Sequence, residues 1–290
     1  IEKYKLIILG NCISISKNSL EIIKNYISNG GIAILTGHST AFDNEGRKNN
    51  NFMFSDIMNI SLISNITAPI NIIHGNKLIP YDSETVIVKI KDSKLSKTYA
   101  DISDQNGKIL GPGVVETSYG KGKFIYISML LGKINAQPIE ELVGRKFKYE
   151  KSPQLHSFLK HIIKTAFNDF SIKINAPEKL LFSAYEQQKD SKHKYILLHF
   201  LNANSANLEK NEIIPPRKIG TPFPPLKKDM YVDFNLSGQL IKDAWIVSPD
   251  YAKKRDLEIL RKTDNCQQVT IPKEDITSYS VAYIYIEKKE

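Results

Sequence analysis

Tyr4-Lys5-Leu6-Ile7-Ile8-Leu9, then a helical stretch closing on Tyr26-Ile27-Ser28-Asn29-Gly30-Gly31, then Ile32-Ala33-Ile34-Leu35-Thr36: how the first half of the chain folds is written here. Residues 4–10 are apolar almost throughout, the pattern of a strand buried on both faces in a parallel sheet. Between the two apolar runs, Leu20, Ile23 and Ile27 recur at helical spacing, and Ile22 and Tyr26 widen the stripe. This predicts a helix from about Lys17 to Asn29. Ser16 or Asn18 would cap it, with Glu21 three residues after Asn18. Gly30-Gly31 would end it, since glycine accepts the left-handed conformation past a helix C-terminus. The whole is one β-α-β unit, whose crossover should be right-handed and its strands parallel.

Working outward, residues 37–51 turn polar: Gly37-His38-Ser39-Thr40-Ala41-Phe42-Asp43-Asn44-Glu45-Gly46-Arg47 leaves the C-terminal end of a parallel strand. Ligands usually sit at that edge of an open α/β sheet. A short helix is expected near Phe52–Met58, and residues 60–80 give no assignable pattern. Val86–Ile90 reads as a strand, and Ala100–Gly107 as a strand running into an Asn-Gly turn. Val114–Tyr119 and Lys123–Ser128 flank Gly120-Lys121-Gly122 as a hairpin. Ser152-Pro153 opens a helix to about Phe167, with Leu155, Phe158, Leu159, Ile162, Ile163 and Ala166 on one face.

Around Phe170–Pro177 the pattern changes to short strands: Leu180–Gln187, Tyr195–Leu201, Met230–Asn235, Ala244–Ser248, Gln268–Ile271 and Val281–Ile286. That spacing reads as an antiparallel sandwich. The stretch 213–228 carries five prolines and cannot join a central ladder. Two domains are expected, 1–172 and 173–290.

The chain has 290 residues, 41% hydrophobic and 24% charged, which fits two globular domains better than one core. No apolar run is long enough to cross a bilayer, so no membrane partner is expected. Net charge is +9, but the lysines are scattered singly with no dense basic run, so no nucleic-acid partner is expected. Cys12 and Cys266, one in each domain, give neither a disulfide framework nor a zinc site. The chain opens on Ile1 and enters a strand at once, which predicts further sequence upstream. The compartment is therefore left open, a periplasmic or secreted parent being the expectation.

The β-α-β stretch resembles the β-galactosidase trimerisation domain, which follows the catalytic barrel in family 42 glycoside hydrolases. The segment Val114-Val115-Glu116-Thr117-Ser118-Tyr119-Gly120-Lys121-Gly122-Lys123-Phe124-Ile125-Tyr126 is similar to that family's late hairpin. His199-Phe200-Leu201-Asn202 is similar to a strand-ending His-x-x-Asn of the family's small C-terminal sandwich. The resemblance implies an α/β fold of the flavodoxin-like, class I glutamine amidotransferase-like kind, with a mostly parallel sheet and then a small antiparallel β-sandwich. It implies an upstream (β/α)8 catalytic domain, a homo-oligomer, and a carbohydrate substrate for the parent. The loop from Ser39 to Arg47 is more like the family's uncharacterised relatives, which leaves the sugar and its linkage open.

Glycoside hydrolysis uses two carboxylates flanking the scissile bond. In family 42 both come from the barrel, and no pair can be nominated here. Glu140-Glu141 reads as a solvated doublet. Gly10-Asn11-Cys12-Ile13-Ser14 matches part of an amidotransferase Gly-x-Cys-x-Gly string, but on the wrong strand and without a following His-x-Glu. Cys12 therefore reads as a small buried hydrophobe. His38, Asp43 and Arg47 could line a sugar site or a subunit contact, Arg47 as a donor fork and Asp43 as an acceptor. The plainer reading is a loop holding its own turns. Trp245 could stack on a sugar ring, although its alternating neighbours place it inward. Tyr279, Tyr283 and Tyr285 share one parity of the last strand. His156 and His161, five apart on a helix, have the wrong spacing for a two-His metal pair. No metal, cofactor or phosphate loop is expected. The chain reads as a non-catalytic accessory and oligomerisation region of a glycoside hydrolase. A carbohydrate-binding module acting through the sandwich is the alternative, and a Cys12-dependent amidotransferase-like enzyme a third reading.

Overall fold

A computed structural model of the chain describes residues 1–130, 137–139, 146–148, 152–177, 180–202 and 226–288. They divide into two compact units, Ile1–Asn168 and Asp169–Glu290. The five prolines of the 213–228 stretch and the Glu140-Glu141 doublet lie outside the described residues. No described helix is long and apolar enough to cross a membrane.

The first unit opens as its apolar pattern dictates: β1 (Leu6–Leu9), α1 (Lys17–Ser28) and β2 (Ile32–Thr36). Ser16 is the N-cap, its hydroxyl accepting from the Ser19 N–H at 3.0 Å. Past the C-cap Asn29, the Gly30 N–H donates to Ile27 and the Gly31 N–H to Tyr26, which is the Schellman arrangement. Gly30 takes it at φ +111°. Then follow β3 (Ile60–Ile66), β4 (Ile70–His74), β5 (Lys77–Tyr81), β6 (Thr85–Ile90), β7 (Ser96–Ser103), β8 (Ile109–Tyr119), β9 (Gly122–Ile127), β10 (Gln137–Ile139), β11 (Lys146–Lys148) and α2 (Pro153–Ala166). The stretch 60–80, unreadable by pattern, thus holds three strands.

One seven-stranded sheet organises the unit, in the order β1-β2-β9-β8-β7-β4-β5. Its first two pairings are parallel and its other four antiparallel. The sheet is therefore mixed rather than mostly parallel. The reason lies in the connections. Only β1 and β2 are joined by a crossover helix, whereas β4–β5, β7–β8 and β8–β9 are joined by tight turns, which return the chain antiparallel. β3 and β6 form a separate two-stranded antiparallel sheet, as do β10 and β11.

Alternation along the strands sends side chains to two cores. Ala33, Leu35, Phe124 and Tyr126 pack with Leu20, Ile23 and Ile27 of α1 and with Phe52, Phe54 and Met58. Ile34, Ile125 and Ile127 pack with Leu155, Phe158 and Ile162 of α2. The sheet is thus covered on both faces, by α1 on one and α2 on the other. Residues 52–58 form turns and not the expected helix. Side chains there take over the backbone groups: the Asn51 carboxamide oxygen accepts from the Phe52 and Leu62 N–H groups, and the Ser55 hydroxyl donates to the Ile60 carbonyl.

Among the described residues, the regular structure of the second unit is all strand apart from a 3₁₀ turn at Lys273–Asp275. It contains β12 (Ile172–Ile174), β13 (Leu180–Gln188), β14 (His193–Asn202), β15 (Met230–Asn235), β16 (Gln239–Val247), β17 (Arg255–Asp256), β18 (Glu258–Arg261), β19 (Cys266–Ile271) and β20 (Tyr279–Lys288). Two antiparallel sheets, β12-β15-β19-β18 and β13-β14-β20-β16-β17, enclose one core. Ile196, Leu198, Phe200, Ile246 and Ile284 come from the larger sheet, and Val232, Phe234, Val269 and Ile271 from the smaller.

In the first unit, the C-terminus of α1 and the β8–β9 turn meet backbone to backbone. The Lys121 N–H donates to Ser28 at 2.9 Å, and a Cβ on Gly122 would fall 2.1 Å from the Gly31 carbonyl oxygen. Such contacts cannot be relieved by a rotamer change. Gly122→Ala is therefore expected to cost at least about 2–4 kcal/mol, read as a drop in thermal midpoint. Gly10→Ala, whose Cβ would meet nothing within 4 Å, should stay within about 0.5 kcal/mol.

Candidate functional site

Beyond the C-terminal ends of β1 and β2, two loops are latched together. The Cys12 N–H donates to the Ser39 hydroxyl at 3.1 Å, and the Thr40 N–H to the Cys12 carbonyl at 2.8 Å. The Ser39 hydroxyl, wholly buried, lies 2.8 Å from the Leu9 carbonyl and 2.7 Å from that of Thr36. The Asn11 N–H donates to the Thr36 hydroxyl, and the Asn11 side-chain oxygen accepts from the His38 N–H, both at 2.9 Å.

Asn11 and Thr40 take positive φ, 50° and 66°. For a β-branched residue such as Thr40 that is a strained conformation, costing about 1–3 kcal/mol. It is held because the Thr40 N–H and C=O are bonded to Cys12 and to Met53. Strain of this kind concentrates at sites where geometry matters more than stability.

His38 sits inside this frame. Its Nε2 is 2.9 Å from Oε1 of Glu84, with the two side chains 12% and 30% exposed. Its Nδ1 is buried and has no partner. One ring nitrogen is thus engaged by a carboxylate and the other is shut away from solvent. An imidazole so placed ties the 37–51 loop to the start of β6 through Glu84. The Cys12 thiol is directed to the Ser14 carbonyl, at 3.6 Å.

Asp43 and Arg47 hold their own turn. The Asp43 Oδ1 accepts from the Glu45 and Arg47 N–H groups, each at 2.9 Å, and the Asp43 N–H donates to the Arg47 carbonyl. Arg47 pairs with Glu45, both well exposed. Of the three loop residues singled out by sequence, only His38 belongs to the buried frame. Asn11, Thr40 and Glu84 went unremarked in the sequence. The only hint was the Gly10-Asn11 pair, because asparagine tolerates positive φ better than most residues.

Trp245 lies in the second unit, on the outward face of the larger sheet. Its neighbours Ala244 and Ile246 are the residues that point into the core, so the inward placement expected from alternation is corrected. The indole stacks on Tyr283 of β20, with centroids 5.4 Å apart and planes 4° apart. The Lys254 ammonium, just before β17 on the other side of β16, lies 5.1 Å from the indole centroid. The indole is thus engaged by its neighbours along the sheet face. Tyr195, Tyr285 and His193 continue the row.

The profile of the Beta-galactosidase trimerisation domain matches residues 1–151. The chain belongs to that family. No curated protein sequence matches it. Among solved structures, Gan42B, a GH42 beta-galactosidase from G. stearothermophilus, is 12% identical with a TM-score of 0.56, over 98% of this chain and 32% of that one. The beta-galactosidase from Bacillus circulans sp. alkalophilus is 13% identical with a TM-score of 0.55, over 99% of this chain and 33% of that one. That from Rahnella sp. R3 is 13% identical with a TM-score of 0.52, over 93% and 32%. At such identities the likeness is one of fold. The chain spans about a third of the length of these structures. The trimerisation-domain match runs through the β-α-β unit, the latched loops and the Tyr119-Gly120-Lys121-Gly122 hairpin alike.

Within the family domain, Tyr126 links the sheet to the latch, its hydroxyl donating to the Gly37 carbonyl at 2.7 Å. Burial pushes its phenol well above the ordinary value of 10.0. A group raised in the folded state contributes stability that is present below the unfolded-state value and lost as pH climbs through the folded one. Tyr126→Phe is therefore expected to cost about 1–2 kcal/mol at neutral pH by stranding the carbonyl. Above about pH 10 it should also shrink the alkaline loss of stability by about 1.4 kcal/mol per pH unit, measured by urea unfolding at stepped pH.

Proposed function

We propose that the chain is a non-catalytic accessory and assembly region of a glycoside hydrolase, working beside a (β/α)8 barrel encoded upstream of Ile1. The observation that carries this is the extent of the match: a trimerisation-domain profile over 1–151, and a fold shared by almost the whole chain with about a third of intact β-galactosidases. On this reading the parent acts on a carbohydrate and the first unit joins copies into a homotrimer. Domain limits near 1–172 and 173–290 and a sheet of amidotransferase-like descent are part of the same reading, the latter supported by the parallel trio β1, β2 and β9.

The first unit has the surface such a role needs. β1 is an edge strand of the seven-stranded sheet. Tyr4, Ile8, Ile13 and Ile22, within it or near it in sequence, are each 44–55% exposed. An open edge with apolar side chains invites pairing with another chain unless it is covered. A second copy is the occupant we assign to it. His38 and Glu84 then brace the loop behind that edge, with Asp43 and Arg47 as contacts at its rim.

Light scattering on the 290-residue chain at about 50 μM should give the mass of a trimer, and Ile8→Lys should shift it toward monomer. A monomer at every concentration would sink the assembly reading. Nitrophenyl glycosides incubated with the same chain should not be turned over, whereas measurable hydrolysis would place the chemistry within these residues and refute the accessory reading.

A further inference from the structure

Away from the latched loops, the first unit holds a cavity of about 510 Å³ where α2 lies over the β4–β5 hairpin. His74 and Lys77 line it from the hairpin, and Gln154, Ser157, Phe158 and His161 from the helix. Every charged or titratable lining residue is basic: His74 on β4, Lys77 on β5 and His161 on α2. Lys97 and Asp101, which flank Tyr99 on β7, are not among the lining residues.

The two imidazoles are a pair. Their ring centroids are 4.9 Å apart, and the His74 ring also packs edge-on against Phe158 at 5.4 Å. The His74 Nδ1 lies 2.9 Å from the Tyr99 carbonyl, which can only accept. The proton is thereby fixed on Nδ1, and Nε2 is the nitrogen left for other partners. Lys77 brings a positive charge to the same space, and none of the described lining residues is acidic. Gln154 and Ser157 add neutral donors, and Pro153 and Gln154 bring the N-terminal end of α2 to the cavity lining.

We propose that this cavity binds a small ligand carrying an oxyanion, a phosphate or sulfate group on a compact body. His74, His161 and Lys77 meet the anion, and Phe158 and Leu78 meet the body. The charge pattern selects this reading over a metal. Among the described residues no group of three histidine, cysteine or acidic side chains comes together here or elsewhere, and the lysine disfavours a cation. The site is independent of the assembly surface at β1 and does not rest on the accessory-region reading.

The test follows the imidazole signals of His74 and His161 by NMR while the full chain is titrated at constant ionic strength with sodium phosphate, sodium sulfate, phenyl phosphate and zinc chloride, at about pH 6. Phosphate and sulfate should move both imidazoles saturably, and phenyl phosphate should bind about fivefold tighter through its ring. Lys77→Met and His161→Gln, both at exposed positions, should each weaken binding at least about fivefold without changing the thermal midpoint. If neither imidazole responds to any anion, or if the variants bind as well as the parent, the proposal fails. A response to zinc in place of the anions would overturn it in favour of a metal site.

Discussion

At the C-terminus of α1 the chain turns back through Gly30-Gly31, and the β8–β9 turn, Gly120-Lys121-Gly122, lies directly against it. The Lys121 and Lys123 N–H groups donate to Ser28 and Gly31, at 2.9 and 3.2 Å. The Tyr26 ring underlies Gly31 so closely that a Cβ there would sit 2.3 Å from it, and the phenol oxygen lies 3.3 Å from both the N and the O of Ile32. This seam of backbone on backbone sets where β9 begins beside β2, pairing Ile32 with Lys123 and Leu35 with Tyr126. Much of the unit follows from that register. With β9 fixed, Phe124 and Tyr126 face α1, Ile125 and Ile127 face α2, and the Tyr126 hydroxyl arrives at the Gly37 carbonyl, where the latched loops begin.

The loops themselves show how little separates a site from a brace. A strained threonine, a left-handed asparagine and a histidine–carboxylate pair at the C-terminal edge of parallel strands are ingredients that elsewhere make an active centre. Here most of their polar atoms are spent on one another, Ser39 on Leu9, Thr36 and Cys12, Asn11 on His38, and the His38 Nε2 on Glu84, while the His38 Nδ1 and the Thr40 hydroxyl are buried with no hydrogen-bond partner. The arrangement stiffens the loops behind the exposed edge of β1. On the assembly reading proposed above that stiffness favours docking, since a preorganised contact loses less conformational entropy on association.

The second unit makes a related point with aromatic rings. The outward face of its larger sheet carries Tyr195, Trp245, Tyr283 and Tyr285, a composition that suggests a sugar platform. Yet the rings stack on each other and under lysines, Trp245 against Tyr283 and Lys254, and Tyr285 under Lys189. The face is consolidated by cross-strand pairs and cation–π contacts, so its aromatics stabilise the sheet.

Local sequence determined a good deal. The apolar runs at 4–10 and 32–36, the stripe of α1, its serine cap and its glycine stop specify a β-α-β unit, because periodicity and capping act within a few residues. The Tyr-Gly-Lys-Gly hairpin, the Ser152 start of α2 and most strands of the sandwich were legible for the same reason. Direction and partnership were decided only in three dimensions. Alternation along β16 allowed Trp245 to face either way, and only the packing of Ala244 and Ile246 into the core turned it outward. Turn lengths made the sheet mixed. His161, read against His156 on its own helix, finds its partner in His74 on a distant hairpin, and His38 finds Glu84 across 46 residues. A pattern along the chain records which face of an element is apolar, but not which element will cover it. That choice depends on long-range packing, where distances in sequence carry no weight.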